Sequence, residues 1–145
     1  MVRFGTYTIF KTFEFRLIEK EQFYSLIYNG KFCPLPEFKK YTEGIFYLDI
    51  PKLTITNAFS VRTYCLYKGY QFDANTLIDE NHLGIVTDNK EAFEKLNLDF
   101  RDRGVFQKEV AINELEKLWE ERSTYLNFPF PENFPTKLET EIPKK

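Results

Sequence analysis

The sequence predicts an α+β fold: a mainly antiparallel, twisted sheet of about six to eight strands with two or three short helices. Three observations predict it. Aromatic residues are abundant, with 16 Phe, 9 Tyr and 1 Trp in 145 residues, and aromatic side chains suit pleated, half-buried surfaces. Several segments alternate apolar and polar residues with period two, the mark of a strand with one buried face. Two segments instead combine helix-start chemistry with apolar residues at helical spacing.

The elements follow in order. Tyr7, Ile9, Phe13, Phe15 and Leu17 fall on odd positions, while Thr6, Thr8, Thr12, Glu14 and Arg16 fall on even ones. This predicts one bent strand or two short ones, with the break at Phe10 and Lys11. Residues 19–28 read as a short helix, because Glu19, Lys20, Glu21 and Gln22 are good helix formers ahead of Phe23, Leu26 and Ile27. Asn29-Gly30 would end that helix, although the same pair is also a strong hairpin signal. Pro34 and Pro36 enforce an extended loop. Residues 44–50 read as a strand that stops before Pro51, and residues 53–55 as a further short one.

Residues 58–67 predict a long strand with Phe59, Val61, Thr63, Cys65 and Tyr67 on one side. Lys68-Gly69 then makes a tight hairpin turn into residues 70–72. A polar connection at residues 79–82 precedes a strand at 83–87. Asp88 can cap a short helix, with Glu91 reaching back and Ala92, Phe93 and Leu96 on the buried side. Residues 99–104 form a charged turn before a strand at 105–110. The best-defined helix comes next, with Asn113 as N-cap, Glu116 completing the capping pattern, and Leu115, Leu118 and Trp119 as its apolar stripe. From about residue 124 the chain is an extended Phe/Pro-rich tail, in which Phe128, Phe130 and Phe134 alternate with Pro129, Pro131 and Pro135. With no linker or repeat, residues 1–145 read as a single domain.

Composition narrows the function. No apolar run approaches the roughly 18 residues of a membrane span, and residues 1–10 do not read as a signal peptide. Cys33 and Cys65 are two isolated cysteines rather than a disulfide framework. These features predict a cytoplasmic protein. The net charge of −2 disfavours direct nucleic-acid binding. The charge is nevertheless uneven. Residues 1–72 carry ten Lys/Arg against six Asp/Glu, and residues 71–123 carry seven against thirteen. Such asymmetry can mark a recognition face or simply solvated surfaces.

Catalytic chemistry is hard to assemble from this sequence. His82 is the one histidine, and with Cys33 and Cys65 it forms scattered singles rather than the close pairs of a metal site. No phosphate loop, serine elbow or zinc helix is present. We therefore expect no catalytic residues, no metal and no cofactor. The exception to weigh is the run Asp99-Phe100-Arg101-Asp102-Arg103-Gly104, where carboxylates beside cations could do acid–base work or simply pair with one another. Aromatic residues interleave with basic ones at residues 31–41 and 62–70, but without the spacing of a nucleic-acid module.

The second half carries a Tyr-Lys-Gly-Tyr-Gln-Phe hairpin at residues 67–72 and an Asp-Arg-Gly-Val turn at 102–105. A strand ending in Thr87 lies between them, and a further strand then runs into a helix of the form Glu-Leu-Glu-x-x-Trp-Glu-Glu-Arg at 114–122. This order resembles small bacterial immunity proteins of polymorphic or contact-delivered toxin systems. The resemblance implies a cytoplasmic inhibitor that binds a cognate toxin domain and has no catalysis of its own. Its expected contacts are Asp99, Asp102, Glu109, Glu114, Glu120 and Glu121, with Tyr125 as an aromatic anchor. The alternatives are a small-ligand or structural adaptor with an aromatic sheet face, and an enzyme centred on Asp99 to Arg103. Oligomeric state stays open.

Overall fold

The computed structural model describes residues 2–143. Among them are twelve β-strands, one α-helix and two 3-10 turns. Strand accounts for 56% of the described residues and helix for 9%, so the protein is more all-β than α+β, with more strands and fewer helices than the sequence predicts. The residues group into two compact units. The N-terminal unit is Gly5–Val61 with Ser123–Phe134, and the central unit is Arg62–Arg122 with residues 2–4 and 135–143.

The N-terminal unit contains β1 (Gly5–Phe10), β2 (Phe13–Glu19), β3 (Phe23–Asn29), β4 (Lys39–Thr42), β5 (Ile45–Pro51) and the start of β6 (Phe59–Tyr67). They pair antiparallel in the order β4-β5-β3-β2-β1-β6. The alternation at residues 6–17 is two strands, not one bent strand. Lys11 and Thr12 take φ values of 50° and 73° and turn the chain back on itself. Tyr7 then opposes Arg16, and Thr8 opposes Phe15. Odd residues of β1 therefore share a face with even residues of β2, because cross-strand partners point the same way. Thr8, Phe15 and Leu17 lie inward, while Tyr7, Ile9, Glu14 and Arg16 lie on the other face.

Residues 19–28 are not helical. The Lys20 N–H donates to the Phe23 carbonyl at 2.9 Å, which closes a turn, and β3 runs back along β2. Leu26 stands between Leu17 and Leu48 and is fully buried, and Tyr24 beside it opposes Ile50. Helix formers at 19–22 are outweighed by this pairing on both sides of β3. Residues 53–55, expected as strand, fall instead at the 3-10 turn Lys52–Thr54 and its cap. Phe15, stacked on Phe38 at 4.6 Å, sits at the centre of the core. The Phe/Pro tail packs on the same unit. Phe128 meets Tyr24 at 6.3 Å, and Phe134 meets Phe59 at 4.8 Å.

The central unit holds the rest of β6, then β7 (Tyr70–Asp79), β8 (His82–Thr87), α1 (Lys90–Leu96), β9 (Asp99–Asp102), β10 (Val105–Ala111), β11 (Lys117–Thr124) and β12 (Lys137–Thr140). The strand order is β6-β7-β8-β10-β9. Lys68 and Gly69, at φ 49° and 85°, make the expected hairpin turn. Helix α1 is capped by Asn89, whose Oδ1 accepts from the Ala92 N–H at 3.1 Å, and not by Asp88. The expected charged turn at 99–104 is largely strand β9, and the reversal falls at Arg103 and Gly104.

The expected helix after Asn113 is absent. A 3-10 turn, Ile112–Glu114, leads into β11. The Glu116 N–H donates to the Leu66 carbonyl at 2.8 Å instead of to a helical neighbour. Leu118, Trp119 and Glu120 are all buried in succession, which a helix with one apolar stripe would not allow. The far side of β11 pairs with β12, Leu118 opposite Thr140 and Glu120 opposite Leu138. That partner strand comes from the tail, so capping chemistry at Asn113 had a competitor invisible to local reading.

Candidate functional site

The central unit buries one face of its sheet around Phe72, Leu83, Ile85, Phe106 and Val110. Strand alternation places the intervening residues on the opposite face. Two cross-strand rows form there. Asp73 opposes Val86, Val86 opposes Gln107, and Gln107 opposes Asp99. Thr76 opposes Gly84, and Gly84 opposes Glu109. An irregularity between Ala74 and Thr76 brings both Asn75 and Thr76 to this surface. The result is a groove of about 560 Å³ that Asp99, Arg101, Gln107, Lys108 and Glu109 help to line. Gly84 keeps its floor low, since a Cβ there would stand 3.3 Å from the Thr76 Cβ.

The groove's charges are not consumed internally. Among the described residues, Asp99, Arg101, Lys108 and Glu109 make no ion pair or side-chain hydrogen bond. Asp102 instead accepts from the Arg103 N–H at 2.7 Å and stabilises the β9–β10 turn. Two carboxylates and the Arg101 guanidinium thus line one groove without ion-pairing, while Lys108, opposite the buried Ile85, belongs to the other row of β10. Such an array suits complementary charges on an incoming surface.

The structure brings together only some of the residues singled out in the sequence. Asp99 and Glu109 share the groove, and Asp102 ends β9 beside it. Glu114 is an exposed residue whose carboxylate accepts from the Ala111 N–H at 3.0 Å. Glu121 accepts from the Trp119 indole N–H at 2.8 Å. Tyr125 lies in the N-terminal unit, stacked with Phe128 at 6.4 Å. Glu120 is buried and bridges two guanidiniums. Its Oε2 accepts from Arg3 Nε at 2.9 Å and its Oε1 from Arg122 Nε at 2.8 Å. Burial pushes its carboxyl pKa up, but the hydrogen bonds and charges of Arg3 and Arg122 hold it below the ordinary value.

Gln107, Lys108 and Gly84 are not among the residues that the sequence singles out, and Arg101 is singled out there only within the run from Asp99 to Arg103. The signal was present in the alternation of β8 and β10, but which strands are neighbours was not. The remaining candidates have structural settings. His82 Nδ1 sits 2.8 Å from Asp79 at an exposed hairpin end. Burial, then the nearby Asp73, pushes the Cys65 thiol up to about 12. Cys33 and Cys65 are both free thiols. Among the described residues no group of three or more His, Cys, Asp or Glu is placed to hold a metal ion. No helix among them is long and apolar enough to cross a membrane.

A family model described as uncharacterised conserved protein UCP033725 matches residues 2–127. The chain belongs to this family. The matched span contains every groove residue and the Glu120–Arg122 pair, while Phe128, Phe134 and β12 lie beyond it. No curated protein and no solved structure matches the chain. The UCP033725 match brings no link to toxin immunity, and the helical segment of that resemblance, residues 114–122, is 3-10 turn and strand here.

Proposed function

We propose that the chain is a non-catalytic protein-binding module whose partner docks on the open face of β7, β8, β10 and β9. The observation that carries this reading is the set of charges without an ion pair among the described residues, Asp99, Arg101 and Glu109, around one open groove. Charges left exposed and unneutralised steer association and select partners more than they stabilise the fold. Glu120 takes no part in this surface, because its carboxylate is engaged inside the unit.

The sharper form of the proposal is a cytoplasmic immunity protein that neutralises a cognate toxin domain. Its support is the sequence resemblance of residues 67–72 and 102–105 alone, since the helix that completed the resemblance is strand β11. The test is co-expression with the product of the gene immediately upstream, using wild type and the Asp99→Lys/Glu109→Lys double variant. Wild type should rescue growth and co-purify with that product, and the variant should lose both while remaining folded. If the neighbour is harmless alone, the immunity form falls. If the double variant binds as well as wild type, the groove is not the interface.

A further inference from the structure

We infer that the N-terminal unit carries a second docking surface, on the sheet face opposite its core, for an acidic peptide with large apolar anchor residues. The surface follows from strand register. Tyr7, Arg16, Ile27, Tyr47 and Lys39 oppose one another in one row across five strands. Ile18, Ser25 and Asp49 form the next row across three. Between β2 and β4 the face forms a groove of about 390 Å³, lined by Ile18, Ile27, Ile45, Tyr41 and Tyr47, with Lys20 at its border. Tyr41 is 75% exposed. Half-buried isoleucines beside an exposed tyrosine form an apolar floor on an otherwise charged chain.

Two observations specify the occupant. The first is that this chain already lays a Phe-bearing segment of its own tail on the same face, one that turns at Glu132 and Asn133 between its two anchors. Phe59 opposes Tyr7, and Phe130 and Phe134 pack against Phe59 at 6.2 Å and 4.8 Å. Together with Ile9 and Glu14, those tail residues line a further groove there. A peptide segment with spaced aromatic anchors therefore fits the β1 end of the face, and the β2–β4 end offers the same kind of floor uncovered by the tail. The second observation is charge. Arg16, Lys20 and Lys39 make no ion pair or side-chain hydrogen bond among the described residues. Asp49, the carboxylate in these rows, already accepts from Ser25 at 2.5 Å. Asp49 keeps its charge through that neutral bond, but Lys20 and Lys39 outnumber it at the open end, so carboxylates flanking the anchors complement the net positive charge. This surface is independent of the polar groove of the central unit.

The test uses the full chain and three fluorescein-labelled probes. They are a decapeptide of Asp and Glu with three spaced Phe residues, the same peptide with Lys at every acidic position, and a ten-nucleotide single-stranded DNA. The acidic peptide should bind by anisotropy and shift the Ile18, Ile27 and Ile45 methyl resonances. Lys20→Glu/Lys39→Glu should weaken it about tenfold or more, and Tyr41→Ala should weaken it without unfolding the protein. No binding of the acidic peptide overturns the proposal. So does equal binding of the lysine peptide, or tighter binding of the DNA, which would make the face a nucleic-acid platform.

Discussion

Arg3 grips Glu120 with two hydrogen bonds, Nε to Oε2 at 2.9 Å and Nη2 to Oε1 at 2.7 Å, across 117 residues of chain. Arg122 Nε adds a third at 2.8 Å, and its Nη1 donates to the Pro135 carbonyl at 3.2 Å. The Glu120 and Arg122 side chains are only 10% and 6% exposed. Removing one partner from such a cluster leaves charge buried without compensation. Glu120→Ala should therefore destabilise the protein by about 3–5 kcal/mol, read as a lower urea midpoint. A loss below about 1 kcal/mol would show the cluster to be solvated in solution.

The same cluster sets a pH dependence. The Glu120 carboxyl is held below its ordinary 4.5 in the folded protein. The unfolded chain therefore binds a proton first as the pH drops. The stabilisation is fully present above 4.5 and is lost as the pH falls through the lower folded value. Thermal midpoints between pH 6 and pH 3 should fall more steeply for wild type than for Glu120→Gln. Parallel curves would remove Glu120 as the source.

Asn57 substitutes for a strand partner of Ile9. Its Oδ1 accepts from the Ile9 N–H and its Nδ2 donates to the Ile9 carbonyl, both at 2.9 Å. Its own carbonyl accepts from the Thr8 hydroxyl at 2.7 Å. Asn57→Ala should strip two backbone groups of their partners and destabilise by about 1–3 kcal/mol. Hydrogen exchange at the Ile9 amide should accelerate beyond the global change. Unchanged exchange there would argue against this pairing.

Gly69 has φ 85° with open space around its Cα. A side chain there meets no neighbour, so the penalty of Gly69→Ala is one of backbone alone, about 1–2 kcal/mol. Gly69→Asn should be milder, because Asn tolerates the left-handed region. Equal losses for the two variants would point instead to the bond from the Gly69 N–H to Glu116 Oε1, at 2.7 Å.

The two thiols should behave differently. Cys65 is fully buried with its pKa pushed up to about 12, while Cys33 is partly exposed. At pH 8 a thiol reagent should modify Cys33 in the native protein and both residues in denaturant. Rapid native modification of Cys65 would mean that the β6–β7 hairpin opens readily.

The sequence by itself determined the features that depend on near neighbours. The turn at Lys68 and Gly69 needs left-handed backbone at Gly69, and β5 ends at Pro51, which pairs with Phe23, one residue beyond the stop that the sequence predicts. The alternation of Phe59, Val61, Thr63, Cys65 and Tyr67 marks the buried side of β6 without any partner in view. Asp99 and Glu109 were legible as exposed acids, though not as members of one groove with Arg101 and Lys108. Tertiary structure decided the rest. Residues 19–28 and 114–122 have respectable helical signals, but their backbone groups find strand partners far along the chain, in β5 and β12. A helix satisfies its hydrogen bonds locally and gains little more, whereas these strands also bury Tyr24 and Leu26, or Leu118 and Trp119. Likewise Glu120 is an acid at an ordinary spacing until Arg3 arrives beside it. Nothing within a few residues of Glu120 could reveal a partner 117 positions away.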